Sequence, residues 1–217
     1  MRLFHREEDN PWESFSDLMT GLMIIFLFIS FAFMLQAKSL AHQYFATKME
    51  IYEDLSHEFT EEELKEWNAA IDKNSLAVTF KEPDVLFANG QWQVTPRFQQ
   101  ILNSFMPRYI AILSQKKYEG KLLEVRIEGH TSVEYKGETD PKMKYIRNME
   151  LSQNRARSVL VYTFSIPGMA DKIDWLEKYV TANGLSSSRP AETDAQSRRV
   201  EFRVLVNSDK VVEAIND

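Results

Sequence analysis

From Leu18 to Ala37 the sequence reads LMTGLMIIFLFISFAFMLQA, without one charged side chain. An α-helix needs roughly 20 such residues to cross the core of a bilayer. Residues 16–37 are therefore expected to form a transmembrane helix, and the rest of the chain must fold as something attached to it. A cleaved signal peptide would have a shorter apolar run, a basic leader and a small-x-small cleavage site, and none of these is present.

Asp17 stands at the mouth of this run. A charge placed in hydrocarbon costs at least about 2.5–3.5 kcal/mol, so an acid there has a partner or a task. Helical spacing puts Thr20, Gly21, Ile24 and Phe28 on its face. Gly21 allows a second helix to approach closely, and Thr20 can hydrogen-bond across the contact. Two readings stay open: one face of a helix held in a bundle, or an ordinary signal anchor that Ser16-Asp17 caps at the headgroups.

The chain has 217 residues and a net charge of −6, enough for one anchor and one globular domain of ordinary size. An acidic balance argues against a nucleic-acid-binding surface. The absence of cysteine removes disulfides, thiolate metal sites and cysteine nucleophiles. Arg2 and Arg6 precede the apolar run and Lys38 and Lys48 follow it, so charge bias does not orient the helix.

Beyond the membrane, Leu40, Tyr44, Phe45, Met49, Tyr52 and Leu55 keep a helical spacing to about Ser56. Thr60 to Glu63 is a capping box, which opens a second helix expected over Glu61 to Asp72. Residues 38–74 thus read as a helical linker, as a dimeric neck, or as a plug-like segment. Leu76 to Phe80 alternates as a strand, and Thr95-Pro96 caps a helix expected to reach Lys117 with a kink at Pro107. Leu123 to Glu128 is a second strand and Thr131 to Lys142 a polar loop. Arg147 to Thr163 is a helix, and Lys178 to Ala182 and Arg198 to Val206 are the last strands. The order β-α-β-α-β-β over residues 75–217 predicts an α/β sandwich, one sheet with helices on one face.

Two sets of motifs carry a resemblance. Trp12, Ser16-Asp17-Leu18-Met19-Thr20 and Leu22-Met23 resemble the N-terminal signature of the MotB family of stator subunits. Ile127-Glu128-Gly129-His130-Thr131, Leu151-Ser152-Gln153-Asn154-Arg155-Ala156 and Arg198-Arg199-Val200-Glu201-Phe202 resemble the peptidoglycan-binding OmpA C-terminal family, in that family's order.

The resemblance implies a bacterial inner-membrane protein that crosses once. Residues 1–15 would be a cytoplasmic tail and residues 75–217 a periplasmic domain. Asp17 would bind the translocated proton, with Thr20, Gly21 and Ile24 lining the channel. Two copies of the chain would sit inside about five copies of a multi-pass MotA-like partner, of the ZorA type in the Zorya anti-phage branch of the family. The N-terminal run looks closer to that branch than to flagellar stators. A plain peptidoglycan tether is the alternative, and it has no need of Asp17. In the domain, Thr131, Ser132, Asn148, Leu151 and Arg155 would hold a diaminopimelate stem peptide, Arg155 pairing with its carboxylate. Ser132 stands where the family usually has Asp, and the following loop offers Glu134, Glu138 and Asp140. No catalytic pair, phosphate loop or metal-ligand spacing is evident, so neither an enzyme nor a cofactor is expected. A strand-end hydrogen bond is the reading for His130.

Overall fold

The computed structural model describes residues 11–81 and 83–207. The first ten residues of the expected cytoplasmic tail and the last ten of the expected domain lie outside the described residues. The described residues divide into two compact units, residues 11–43 and residues 44–207.

In the first unit the apolar run is helical throughout, as part of α1 (Pro11–Glu58). Among the described residues this is the one helix long and apolar enough to cross a membrane. Its large side chains from Leu18 to Leu35 lie on its surface, as expected of a helix whose solvent is lipid.

The second unit starts in the same helix. Ile51 and Leu55 are fully buried, and Phe59 follows them into the core. The expected linker over 38–74 is therefore part of the domain from about Tyr44 onward. Thr60 caps α2 (Glu61–Glu66) with the reciprocal capping-box bonds that Thr60 and Glu63 predict. That helix stops early, because Asn68 takes a left-handed φ of 48°. Residues expected to prolong it form β1 (Ala69–Asp72), paired antiparallel with β2 (Ala77–Phe80). The Asp72 carboxylate closes the connection by accepting from the Ser75 amide and hydroxyl at 2.7 and 2.6 Å.

After the short α3 (Pro83–Leu86), α4 (Pro96–Leu113) is capped by Thr95. It ends four residues before the expected Lys117 and is unbroken through Pro107, which faces Gly168. Then come β3 (Leu122–His130), α5 (Pro141–Ser165), α6 (Ile173–Tyr179), β4 (Val180–Gly184), α7 (Asp194–Ser197) and β5 (Arg199–Val206). α5 begins six residues before the expected Arg147, because Asp140 caps it and Pro141 takes the first position. α6 was not foreseen.

The five strands run in the order β1-β2-β5-β3-β4. All neighbours are antiparallel except β3 and β4, which α5 joins as a crossover. The architecture is thus the expected α/β sandwich with one strand more. One sheet face carries Val78, Phe80, Val125, Ile127, Val200, Phe202 and Val204, buried with Phe98, Leu102 and Phe105 of α4. Phe105 stands at the centre, with the rings of Phe59, Phe80, Tyr109 and Phe202 4.8–5.2 Å away.

Two glycines set the height of α5 over the sheet. Gly129 of β3 and Gly184 of β4 are register partners. A Cβ on Gly129 would lie 2.3 Å from the Ser152 carbonyl oxygen, and one on Gly184 2.4 Å from the Gln153 nitrogen. Only bare backbone lets the helix lie this close. Gln153 fastens the contact, accepting from the Gly184 amide at 2.7 Å and donating to the Ala182 carbonyl at 3.0 Å.

Candidate functional site

The two units each carry a candidate site. In the first, Asp17 lies inside α1, beyond its first turn, so it does not cap the helix. Thr20 is one turn on, its hydroxyl donating to the Ser16 carbonyl at 2.8 Å. No described atom lies within 4 Å of the place a Cβ on Gly21 would take. Packing inside this chain therefore does not explain the glycine. Asp17, Thr20, Gly21 and Ile24 share one face of the helix, as the spacing predicts.

In the second unit, the end of β3 delivers Thr131 and Ser132 beneath α5, which supplies Asn148, Leu151 and Arg155. All five line one pocket of about 670 Å³, joined by Asn89, Gly90, Glu134, Tyr135, Lys136 and Arg198. The Thr131 amide is fixed by the Ser186 carbonyl at 2.9 Å. Its hydroxyl oxygen is buried and makes no hydrogen bond. An unpaired polar atom at a pocket wall is costly unless a ligand or water answers it. The Asn148 amide donates to the Glu134 carbonyl at 3.3 Å, which holds the acidic loop against α5.

Arg155 is buried, its Nε donating to the Gln91 carbonyl at 2.9 Å and its guanidinium lying 5.0 Å over the Phe87 ring. The residues before α4 thus form one wall of the pocket. Sequence reasoning missed them, because Asn89-Gly90 signals a turn and nothing about what the turn touches.

The loop acids take different roles. Asp140 accepts from the Lys142 amide as the α5 cap, and Glu138 accepts from the Thr139 and Asp140 amides. Glu134 alone of the three lines the pocket, with Lys144 2.7 Å away.

The opposite face of the sheet carries an ion network. Glu128 and Glu201, register partners on β3 and β5, lie 3.7 and 3.8 Å from the imidazole of His130. Neither ring nitrogen of His130 makes a hydrogen bond, so the strand-end bond expected for it is not formed. Arg203 meets Glu128 at 3.2 Å and Glu201 at 2.6 Å, Arg199 meets Glu201 at 2.6 Å, and Arg189 meets Glu128 at 3.4 Å. Burial pushes both carboxyls up. For Glu128 the imidazole, Arg203 and Arg189 outweigh it, and for Glu201 the guanidinium of Arg199 leads, so both stay below the usual glutamate value. The three side chains are close enough to share a cation. Their carboxylates are already neutralised by three guanidiniums, which would repel one.

The comparisons with known proteins bear on both units. The chain is 41% identical to the Zorya protein ZorB of Escherichia coli (strain Crooks) over 224 aligned positions, covering 97% of this chain and 94% of that one. The crystal structure of a MotB-like protein from Desulfovibrio vulgaris superposes with a TM-score of 0.51 at 21% identity, covering 76% of this chain and 95% of that one. The cell wall anchor of the T6SS from Pseudomonas aeruginosa gives a TM-score of 0.47 at 25% identity, covering 69% and 95%. No family model matches the chain.

Proposed function

Because the chain belongs to the ZorB family of Zorya proteins, we propose that it is the peptidoglycan-anchored stator subunit of a proton-driven inner-membrane motor serving anti-phage defence. The observation that carries the anchoring half is the pocket itself. The segment just past β3 and one face of α5 converge on it, joined by Asn89 and Gly90 from before α4, with a buried Thr131 hydroxyl waiting for a partner. A diaminopimelate stem peptide presents a carboxylate and an ammonium close together. Arg155 and Arg198 give the pocket its positive side, suited to the carboxylate. Glu134 gives the negative side, standing in for the acid that Ser132 does not supply.

The motor half rests on Asp17 and its face. An acid one helical turn from Gly21, whose Cβ position no described atom approaches, suits a helix packed inside a multi-pass MotA-like partner. One charge moved across 100 mV is worth about 2.3 kcal/mol, which is the work available per proton. In this reading the N-terminus is cytoplasmic, the domain is periplasmic, and two copies serve one ring of partners. Residues 16–37 span the membrane, and the periplasmic domain begins within α1.

Two variants of the full chain test the halves separately. Asp17→Asn should abolish protection against phage while expression and partner pull-down persist. Full protection by Asp17→Asn would replace the motor with a plain tether. Glu134→Gln should weaken co-sedimentation with sacculi about five-fold, since a charged hydrogen-bond partner is exchanged for a neutral one. Unchanged sedimentation of Glu134→Gln would remove Glu134 from the site.

A further inference from the structure

A second groove, of about 440 Å³, is lined by Trp92, Gln99, Asn154, Arg157, Val161 and Tyr162, among others. The segment from Asn89 to Val94 is the wall it shares with the stem-peptide pocket. Asn89 and Gly90 face that pocket, while Trp92 to Val94 face the groove. α5 holds the wall at two points, with Arg155 donating to the Gln91 carbonyl and Ser158 to the Trp92 carbonyl. The wall is therefore fixed, and the indole it carries is 44% exposed. Val161, one turn further along α5, is 59% exposed beside the groove.

We propose that this groove binds the glycan strand of peptidoglycan, next to the stem peptide held in the first pocket. The inference rests on the peptidoglycan reading above and extends it from peptide to sugar. Three features favour that occupant. The first is chemistry: a pyranose has an apolar face of C–H groups and a rim of hydroxyls. An exposed indole offers a flat apolar surface to the face. The side chains of Asn154, Arg157 and Gln99 offer donors and acceptors to the rim. The apolar side chain of Val161 suits an N-acetyl methyl group. The second is continuity, because stem peptide and sugar are one covalent polymer. A ligand held at Arg155 must place its sugar close by.

The third is length. The diaminopimelate is the third residue of the stem, roughly 10 Å from the sugar in an extended peptide. Along α5, Arg155 to Val161 is a rise of about 9 Å. The groove continues to Ser165, so there is room beyond Val161 for a sugar ring.

The test uses the full chain purified in detergent and two probes, the free stem tripeptide and the same tripeptide on its disaccharide. Affinity for each is measured by calorimetry on wild type, Trp92→Ala, Trp92→Phe and Arg155→Ala. Wild type should bind the disaccharide-bearing probe about five-fold more tightly than the tripeptide, the gain expected of one aromatic contact. Trp92→Ala should bring that ratio near one without changing tripeptide affinity, and Trp92→Phe should keep most of it. An unchanged ratio in Trp92→Ala overturns the glycan groove while leaving the stem pocket intact. So does an equal loss for both probes, which would place Trp92 in the support of the first pocket. If wild type binds neither probe, or if Arg155→Ala binds the tripeptide like wild type, the peptidoglycan reading itself falls.

Discussion

Three glycines in this chain answer to different neighbours. Gly129 and Gly184 lie under α5, where a methyl group would meet helix backbone at 2.3 and 2.4 Å. Gly21 has no described atom within 4 Å of its Cβ position. Gly129→Ala should therefore cost about 1–3 kcal/mol by overpacking, seen as a fall in melting temperature of several degrees. It should also loosen sacculus binding, because the same contact sets Arg155 and Asn148 above Thr131. Gly21→Ala should leave the melt unchanged and weaken co-purification of the membrane partner. If both variants lower the melt alike, Gly21 has a packing role within the chain and the partner-helix argument fails. Residues of this kind are only half legible in a sequence. Gly129 stands out in Glu128-Gly129-His130-Thr131, yet nothing local says that the obstacle is the carbonyl of Ser152.

At the scale of the element, the end of α1 is built into the domain. Arg108 of α4 donates through Nε to Glu58 at 2.6 Å and through Nη1 to Glu63 at 2.8 Å, with Phe59 under its guanidinium. One side chain thus joins α1, α2 and α4. The Arg108 guanidinium holds the Glu63 carboxyl below its usual value, against a smaller upward push from burial. The native state then binds fewer protons than the unfolded chain around that value, so this contribution is present above about pH 4.5 and fades as the pH falls through the folded value. Arg108→Ala should lower stability at pH 7 by about 1–2 kcal/mol, since the ion pairs are partly exposed. It should also flatten the loss between pH 5 and pH 3 in thermal melts (range about that expected of a carboxylate). A full acid slope in Arg108→Ala would assign the sensitivity elsewhere, with Glu128 and Glu201 the next candidates. Arg108→Lys should not restore stability, because a lysine cannot make both bonds in one plane. Helix starts were legible at Thr60 and Thr95, where a capping threonine precedes a clear helical pattern, and missed at Asp140-Pro141, where the cap sits in a polar stretch that reads as loop. β1 was not, because Ala69-Ala70-Ile71-Asp72 has little apolar pattern and takes its strand character from pairing with β2. α6 is similarly short, and Ile173 to Tyr179 gave no cap to read.

For the whole molecule, the arrangement to test is the number of chains that act together. Of the apolar positions Leu40, Tyr44 and Met49 that follow the membrane run, Tyr44 packs against the domain core, which leaves Leu40 as the position to test for a two-copy neck. The chain has no cysteine, so Leu40→Cys introduces a single thiol. Oxidation in membranes should give a dimer band with that variant and none with wild type. Exclusively monomeric bands would count against the two-copy arrangement. The domain also has a mechanical side. β3 carries the pocket's Thr131 just past its end and is bonded along both edges, to β4 from Val125 to Gly129 and to β5 from Leu122 to His130. Tension drawn through a held ligand along β3 would load those bonds in shear, many at once, rather than peeling them apart singly. A strand flanked on both sides is the part of a sheet that slips last, and the proposed grip on peptidoglycan hangs from such a strand.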